Sequence, residues 1–173
     1  MFGVRAEVGV GEWLEIGQIG NRAYLAVPEG GAGPGVLVLH AWWGLTPVFT
    51  DVCERLAAAG FVALAPSLFP GGATAATIAE AEVLRDAHDE AAAEAEVLVQ
   101  ATADQLHGLP AVTSTRIGVI GFSLGAYWAL HLSQVRPDNV GAGGLPRSLR
   151  GARRVRAVRG RTRAGGEDPR RGA

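Results

Sequence analysis

Apolar positions along this chain fall into short unbroken blocks, separated by longer stretches where they recur every three or four residues. Three blocks stand out: Gly35-Val-Leu-Val-Leu-His40, Phe61 to Ala65 closed by Pro66, and Arg116-Ile-Gly-Val-Ile-Gly121. Runs this short and this uniformly apolar predict strands buried on both faces, the habit of parallel sheets. Ahead of them, the mixed runs Glu12–Gly17 and Asn21–Val27 flank the turn-like Gln18-Ile19-Gly20 and predict a hairpin. Pro28 to Gly35 and Ser67 to Thr74 are rich in loop-forming residues and read as loops.

The stretches between the blocks predict helices. Over Pro47–Ala59, Thr46 offers an N-cap, Pro47 fits the first turn and Gly60 supplies a stop. Val48, Val52, Leu56 and Ala59 recur at helical spacing as the expected inner face, with Cys53 beside them as a small buried thiol. Ala75 to Leu106 is rich in Ala and Glu and predicts two helices divided by the polar Asp86–Glu90, with Val97, Leu98, Ala101 and Leu106 facing inward. Glu80, Glu82, Glu90, Glu94 and Glu96 read as a solvated face. The third block turns into a helix over about residues 124–135, closed by Pro137. The resulting β-α-β-α-β order predicts an α/β fold, a mostly parallel sheet with helices on both faces.

Charge divides the chain where this pattern stops. Residues 1–140 hold six Arg against fifteen Asp and Glu, a balance of −9, whereas residues 141–173 hold ten Arg against Glu167 and Asp168, a balance of +8. The tail contains four large apolar residues, Leu145, Leu149, Val155 and Val158, too few to offset the entropy of ordering it. Disorder is therefore expected over 141–173, and a partial α/β domain over 1–140. One cysteine excludes an internal disulfide and suits a reducing compartment. Met1–Val10 lacks the apolar core of a signal peptide, and no apolar run approaches the ~20 residues of a membrane span, so a cytoplasmic location is expected.

Gly121-Phe-Ser-Leu-Gly125 matches G-x-S-x-G and lies between a buried strand and a helix, where this motif holds a nucleophilic serine on a tight turn. Ser123 is the expected nucleophile. The backbone N–H of Leu124 and one from the Ala41–Trp42 region of the loop after the first buried strand are the expected oxyanion-stabilising donors, with Trp42 completing that hole. Trp42 and Trp43, adjacent on that loop, are expected to wall an apolar substrate pocket.

Taken together, Val38-Leu-His-Ala-Trp-Trp-Gly-Leu45, Ala57-Ala-Ala-Gly-Phe-Val-Ala-Leu-Ala-Pro66 with Phe69-Pro-Gly71, and Ile117-Gly-Val-Ile-Gly-Phe-Ser-Leu-Gly125 resemble the dienelactone hydrolase family over roughly residues 10–140. The resemblance implies an α/β-hydrolase fold, here truncated after the nucleophile helix, and hydrolysis of small-molecule esters or lactones with neither metal nor organic cofactor. The best-known members carry a cysteine nucleophile and a glutamate after the strand histidine; Ser123 and Ala41 stand there in this chain. Both differences point to an ordinary serine-hydrolase arrangement with a broader ester or lactone range.

The fold's order of Ser, then acid, then His requires partners that this sequence does not supply. Of the four histidines only His131 follows Ser123, eight residues along the same helix and so roughly 12 Å up its axis. His40, His88, His107 and His131 are expected in structural or surface roles. Asp138-Asn-Val-Gly-Ala142 resembles the start of a further strand. The tail beyond it is expected to be a frameshifted or otherwise aberrant reading of a longer hydrolase gene, and the chain to be nearly inactive. Translating the nucleotide sequence in all three frames tests this. Two other functions remain open: a different α/β-hydrolase activity such as a peptidase or acyltransferase, and a non-catalytic protein whose basic tail binds anionic partners. Scattered arginines without aromatics argue against specific nucleic-acid recognition.

Overall fold

The computed structural model describes residues 11–16 and 21–140. The turn predicted at Gln18–Gly20 and the tail over 141–173 lie outside the described residues. The predicted hairpin strands are β1 (Glu12–Ile16) and β2 (Asn21–Ala26), antiparallel with Glu12 opposite Leu25. The three apolar blocks form β3 (Gly35–Leu39), β4 (Val62–Pro66) and β5 (Gly118–Gly121). The sheet runs β1-β2-β4-β3-β5. β4 and β5 flank β3 in parallel, while β2 joins β4 antiparallel, so the sheet is mixed.

Every residue of β3 and β4 is buried, and their alternation divides the core into two layers. Val36, Val38, Ala63 and Ala65 pack with α1 (Pro47–Ala58) on one face. Leu37, Leu39, Val62 and Leu64 pack on the other face with α3 (Ala92–Gly108) and α4 (Leu124–Val135). α2 (Ile78–Glu90) leads into α3.

Two helix faces differ from the pattern-based expectation. α1 buries Phe49, Cys53 and Ala57, while Val48 is 65% exposed and Ala59 is exposed. Both sets recur at helical spacing. The set carrying the aromatic ring wins because Phe49 hides more apolar area, and it packs near His40 and Phe122. The Thr46 side chain makes no capping bond. α3 turns Ala95, Leu98, Val99, Thr102, Ala103 and Leu106 inward and leaves Val97 68% exposed, with Ala101 outside. Thr102 is tolerated there because its hydroxyl donates to the Leu98 carbonyl at 2.7 Å, so no polar group is left unpaired. The division between the two acidic helices falls at Ala91, just past the expected Asp86–Glu90. A capping box of Thr77 and Glu80 starts α2.

β5 also departs from expectation. Instead of being buried on both faces it is partly exposed, Ile120 at 37%. Among the described residues its outer side meets a parallel bridge between Ile117 and Val140, in which the Ile117 N–H donates to the Asn139 carbonyl at 2.9 Å. The bridge stands where a further strand was expected to start. Among the described residues no helix is long and apolar enough to cross a membrane.

Candidate active site

Ser123 joins β5 to α4 with φ 52° and ψ −109°, and it has the one positive φ outside glycine among the described residues. Holding a side-chain-bearing residue there costs about 1–3 kcal/mol, which the surrounding packing must over-determine. The two flanking glycines show how. A Cβ on Gly121 would lie 2.1 Å from the Gly125 carbonyl oxygen, and a Cβ on Gly125 would lie 2.2 Å from that of Leu39. Strand, turn and helix touch backbone to backbone, so the bend has no room to relax. Ser123 is exposed, and its side chain does not cap its own helix.

Backbone accounting at the start of α4 leaves the N–H groups of Ser123 and Leu124 without an acceptor among the described residues. The Gly125 N–H reaches the carbonyls of His40 and Phe122, both at 3.0 Å, and the N–H groups of Ala126 and Tyr127 reach that of Ser123. The Leu124 N–H has no acceptor among the described residues, and neither has that of Trp42. Phe122 N–H donates to the Leu39 carbonyl at 3.0 Å, which ties the bend to the end of β3. The Ser123 turn and the loop after β3 thus adjoin at the carboxyl ends of parallel strands. β3 leads to β4 on one side, and the chain then crosses to β5 on the other, so the two loops flank the point where the strand order reverses, as at the ligand-binding crevice of open α/β sheets.

The loop after β3 is anchored at several points. Gly44 adopts φ 84°, and a Cβ there would meet the Ala73 carbonyl oxygen at 2.4 Å. Ala75 N–H donates to the Trp43 carbonyl at 3.1 Å. Trp42 and Trp43 remain 38% and 40% exposed. The Arg85 guanidinium lies 5.2 Å from the Trp42 ring centroid while pairing with Asp86.

All four histidines are occupied. His40 is fully buried; its Nε2 accepts the Leu68 N–H at 2.8 Å and its Nδ1 meets the Ala41 carbonyl at 2.7 Å. Burial pushes its pKa down to about 4, opposed in part by the hydrogen bond to the Ala41 carbonyl and aided slightly by His88. His88, also buried, accepts the Trp128 indole N–H at 2.9 Å, and burial likewise lowers its pKa. His131 pairs with Glu96 at 2.9 Å and stacks on Tyr127, and His107 meets the Thr115 carbonyl. Each ring thus has a partner of its own, and none of these partners is Ser123. The buried chain His40–Phe69–His88–Trp128 was not anticipated, since nothing about a histidine amid acidic residues announces burial. Cys53 is buried, which pushes its thiol up to about 12 and keeps it inert.

The dienelactone hydrolase family model matches residues 21–143, the sheet from β2 onward and the Ser123 turn. The chain belongs to the dienelactone hydrolase family. A relative from Aquifex aeolicus, named provisionally as a carboxymethylenebutenolidase, is 30% identical over 132 residues, 72% of this chain and 57% of its own. Another from Synechocystis, named in the same way, is 34% identical over 121 residues, 66% of this chain and 48% of its own. Among solved structures, a protein called m3DLH superposes with a TM-score of 0.64 at 27% identity, covering 76% of this chain and 55% of that one. A dienelactone hydrolase-like promiscuous phosphotriesterase from metagenomic libraries superposes at 0.60 with 26% identity, over 66% of this chain and 48% of that one. This dienelactone hydrolase homologue therefore spans about half the length of the curated relatives it matches.

Proposed function

We propose that this chain carries the nucleophile and oxyanion-binding half of a serine hydrolase acting on carboxylic esters or lactones. The observation that carries this reading is the exposed Ser123, held at positive φ beside a Leu124 N–H that has no acceptor among the described residues. In this reading Ser123 Oγ attacks the ester carbonyl carbon, the hydroxyl proton passes to a base, and the carbonyl oxygen becomes an oxyanion. The N–H groups of Leu124 and Trp42 stabilise that oxyanion, and Trp42 and Trp43 wall the acyl or alcohol portion. No metal or organic cofactor enters these steps.

In this reading none of the four histidines serves as that base, which is supported by the other partner each one has. Losing a triad member leaves only ~10³–10⁴-fold catalysis over water, so the chain is expected to be a poor catalyst by itself. A fluorophosphonate transfers its phosphonyl group to Ser123 Oγ with loss of fluoride; with water taking the hydroxyl proton in place of a histidine the step is slow, and the likeness to a phosphotriesterase favours an organophosphorus reagent. Incubation with the full chain, read by intact mass and peptide mapping, should place slow labelling on Ser123 and none on the Ser123→Ala variant. Equal labelling of the two would refute the serine assignment.

A further inference from the structure

The His40 ring has one consistent protonation pattern. Because Nε2 accepts the Leu68 N–H, it carries no proton; the proton sits on Nδ1 and is donated to the Ala41 carbonyl. The same oxygen accepts the Gly44 N–H at 3.2 Å. The ring has little freedom to turn, with Phe69 at 5.2 Å and Phe49 at 6.0 Å between centroids and no exposure to solvent. The Ala41 carbonyl is therefore drawn inward by two donors.

That carbonyl and the Trp42 N–H belong to one peptide group. The described residues contain no cis peptide bond, and in a planar trans peptide C=O and N–H point in opposite directions. Whatever holds the Ala41 oxygen inward turns the Trp42 N–H outward. The His40 carbonyl meanwhile accepts the Gly125 N–H at 3.0 Å, so the same residue joins this loop to the helix that Ser123 begins.

We propose that His40 is a positioning residue for oxyanion stabilisation: its ring fixes the Ala41–Trp42 peptide so that the Trp42 N–H faces the side on which Ser123 stands. This rests on the serine-hydrolase reading above. His40 touches no substrate; it acts through the peptide it orients. Its buried place on the far side of that peptide also explains why it is not the catalytic base, although it neighbours the nucleophile's helix.

Two substitutions separate positioning from simple packing. In His40→Asn the side-chain amide nitrogen stands about where Nδ1 was, keeping the donor to Ala41 and losing the acceptor for Leu68. In His40→Gln the terminal amide reaches the Nε2 position, keeping the contact with Leu68 and losing the donor to Ala41. Each loses one buried hydrogen bond, so their urea midpoints should fall comparably. The Trp42 amide resonance should stay near its wild-type position in the Asn variant and move in the Gln variant. Fluorophosphonate labelling of Ser123 should be about 100-fold slower in the Gln variant, the loss expected for one oxyanion donor, with the Asn variant restoring most of the rate. The ¹⁵N imidazole spectrum of the wild-type chain should show His40 protonated at Nδ1. The opposite tautomer overturns the proposal even if neither variant folds, and so does a Trp42 amide that responds alike in both. If Ser123 of the wild type does not react with the probe, the serine reading fails, while the amide comparison still decides the role of His40.

Discussion

Acidification should unfold this protein earlier than its carboxylates alone would require, because His40 must stay neutral to hold both of its hydrogen bonds. In the unfolded chain the ring takes its ordinary pKa near 6.5, whereas in the fold it is lowered to about 4. Between these values the unfolded state binds a proton that the native state refuses, so stability present above pH 6.5 is lost as pH falls toward 4. From pH 7 to pH 4.5 that linkage amounts to about 2.5 kcal/mol for His40 alone, given its folded value of about 4. His88 shifts in the same direction and steepens the slope. The groups facing His40 are Phe49, Phe69, the Leu68 N–H, the Ala41 carbonyl and the His88 ring, and no carboxylate among them offsets the effect. Urea unfolding followed by tryptophan fluorescence at intervals from pH 7.5 to 4.5 measures it, with the buried Trp128 as reporter. His40→Asn is the comparison, less stable at pH 7 but with a shallower dependence on pH. Parallel curves for the two proteins would mean that the ring is not held neutral and would remove the physical basis of its assigned role.

Ser123→Gly should raise stability by about 1 kcal/mol by relieving the positive φ, while abolishing fluorophosphonate labelling. A lower melting temperature would show that the Ser123 backbone stores no strain. Phe49→Ala should cost about 3–5 kcal/mol, whereas Val48→Ala, one residue earlier, should stay within about 0.5 kcal/mol. Thermal unfolding of the pair distinguishes the observed inner face of α1 from the neighbouring one, and equal losses would contradict it.

Much of this architecture was legible before any coordinate. The three apolar blocks are strands because a short unbroken apolar run can satisfy its backbone and hide its side chains only between other strands and covering helices. G-x-S-x-G between such a block and a helix could be read as a sharp turn, since glycine at both ends is what lets Gly121 approach Gly125 and Gly125 approach Leu39. These features are local, set by spacing within a dozen positions.

What only the tertiary structure decided depends on residues far apart in the chain. Two helical stripes one residue apart on α1 score alike by periodicity, and contact between Phe49 and Phe122, 73 positions away, chooses between them. β5 is partly exposed because burial belongs to a strand's neighbours, not to its own sequence. His40 and His88 read as unremarkable polar residues until the fold brings Leu68 to one and Trp128 to the other. A histidine's tautomer, charge and usefulness follow from which donors and acceptors reach its two nitrogens, and those arrive from distant segments only when the sheet and helices close around it.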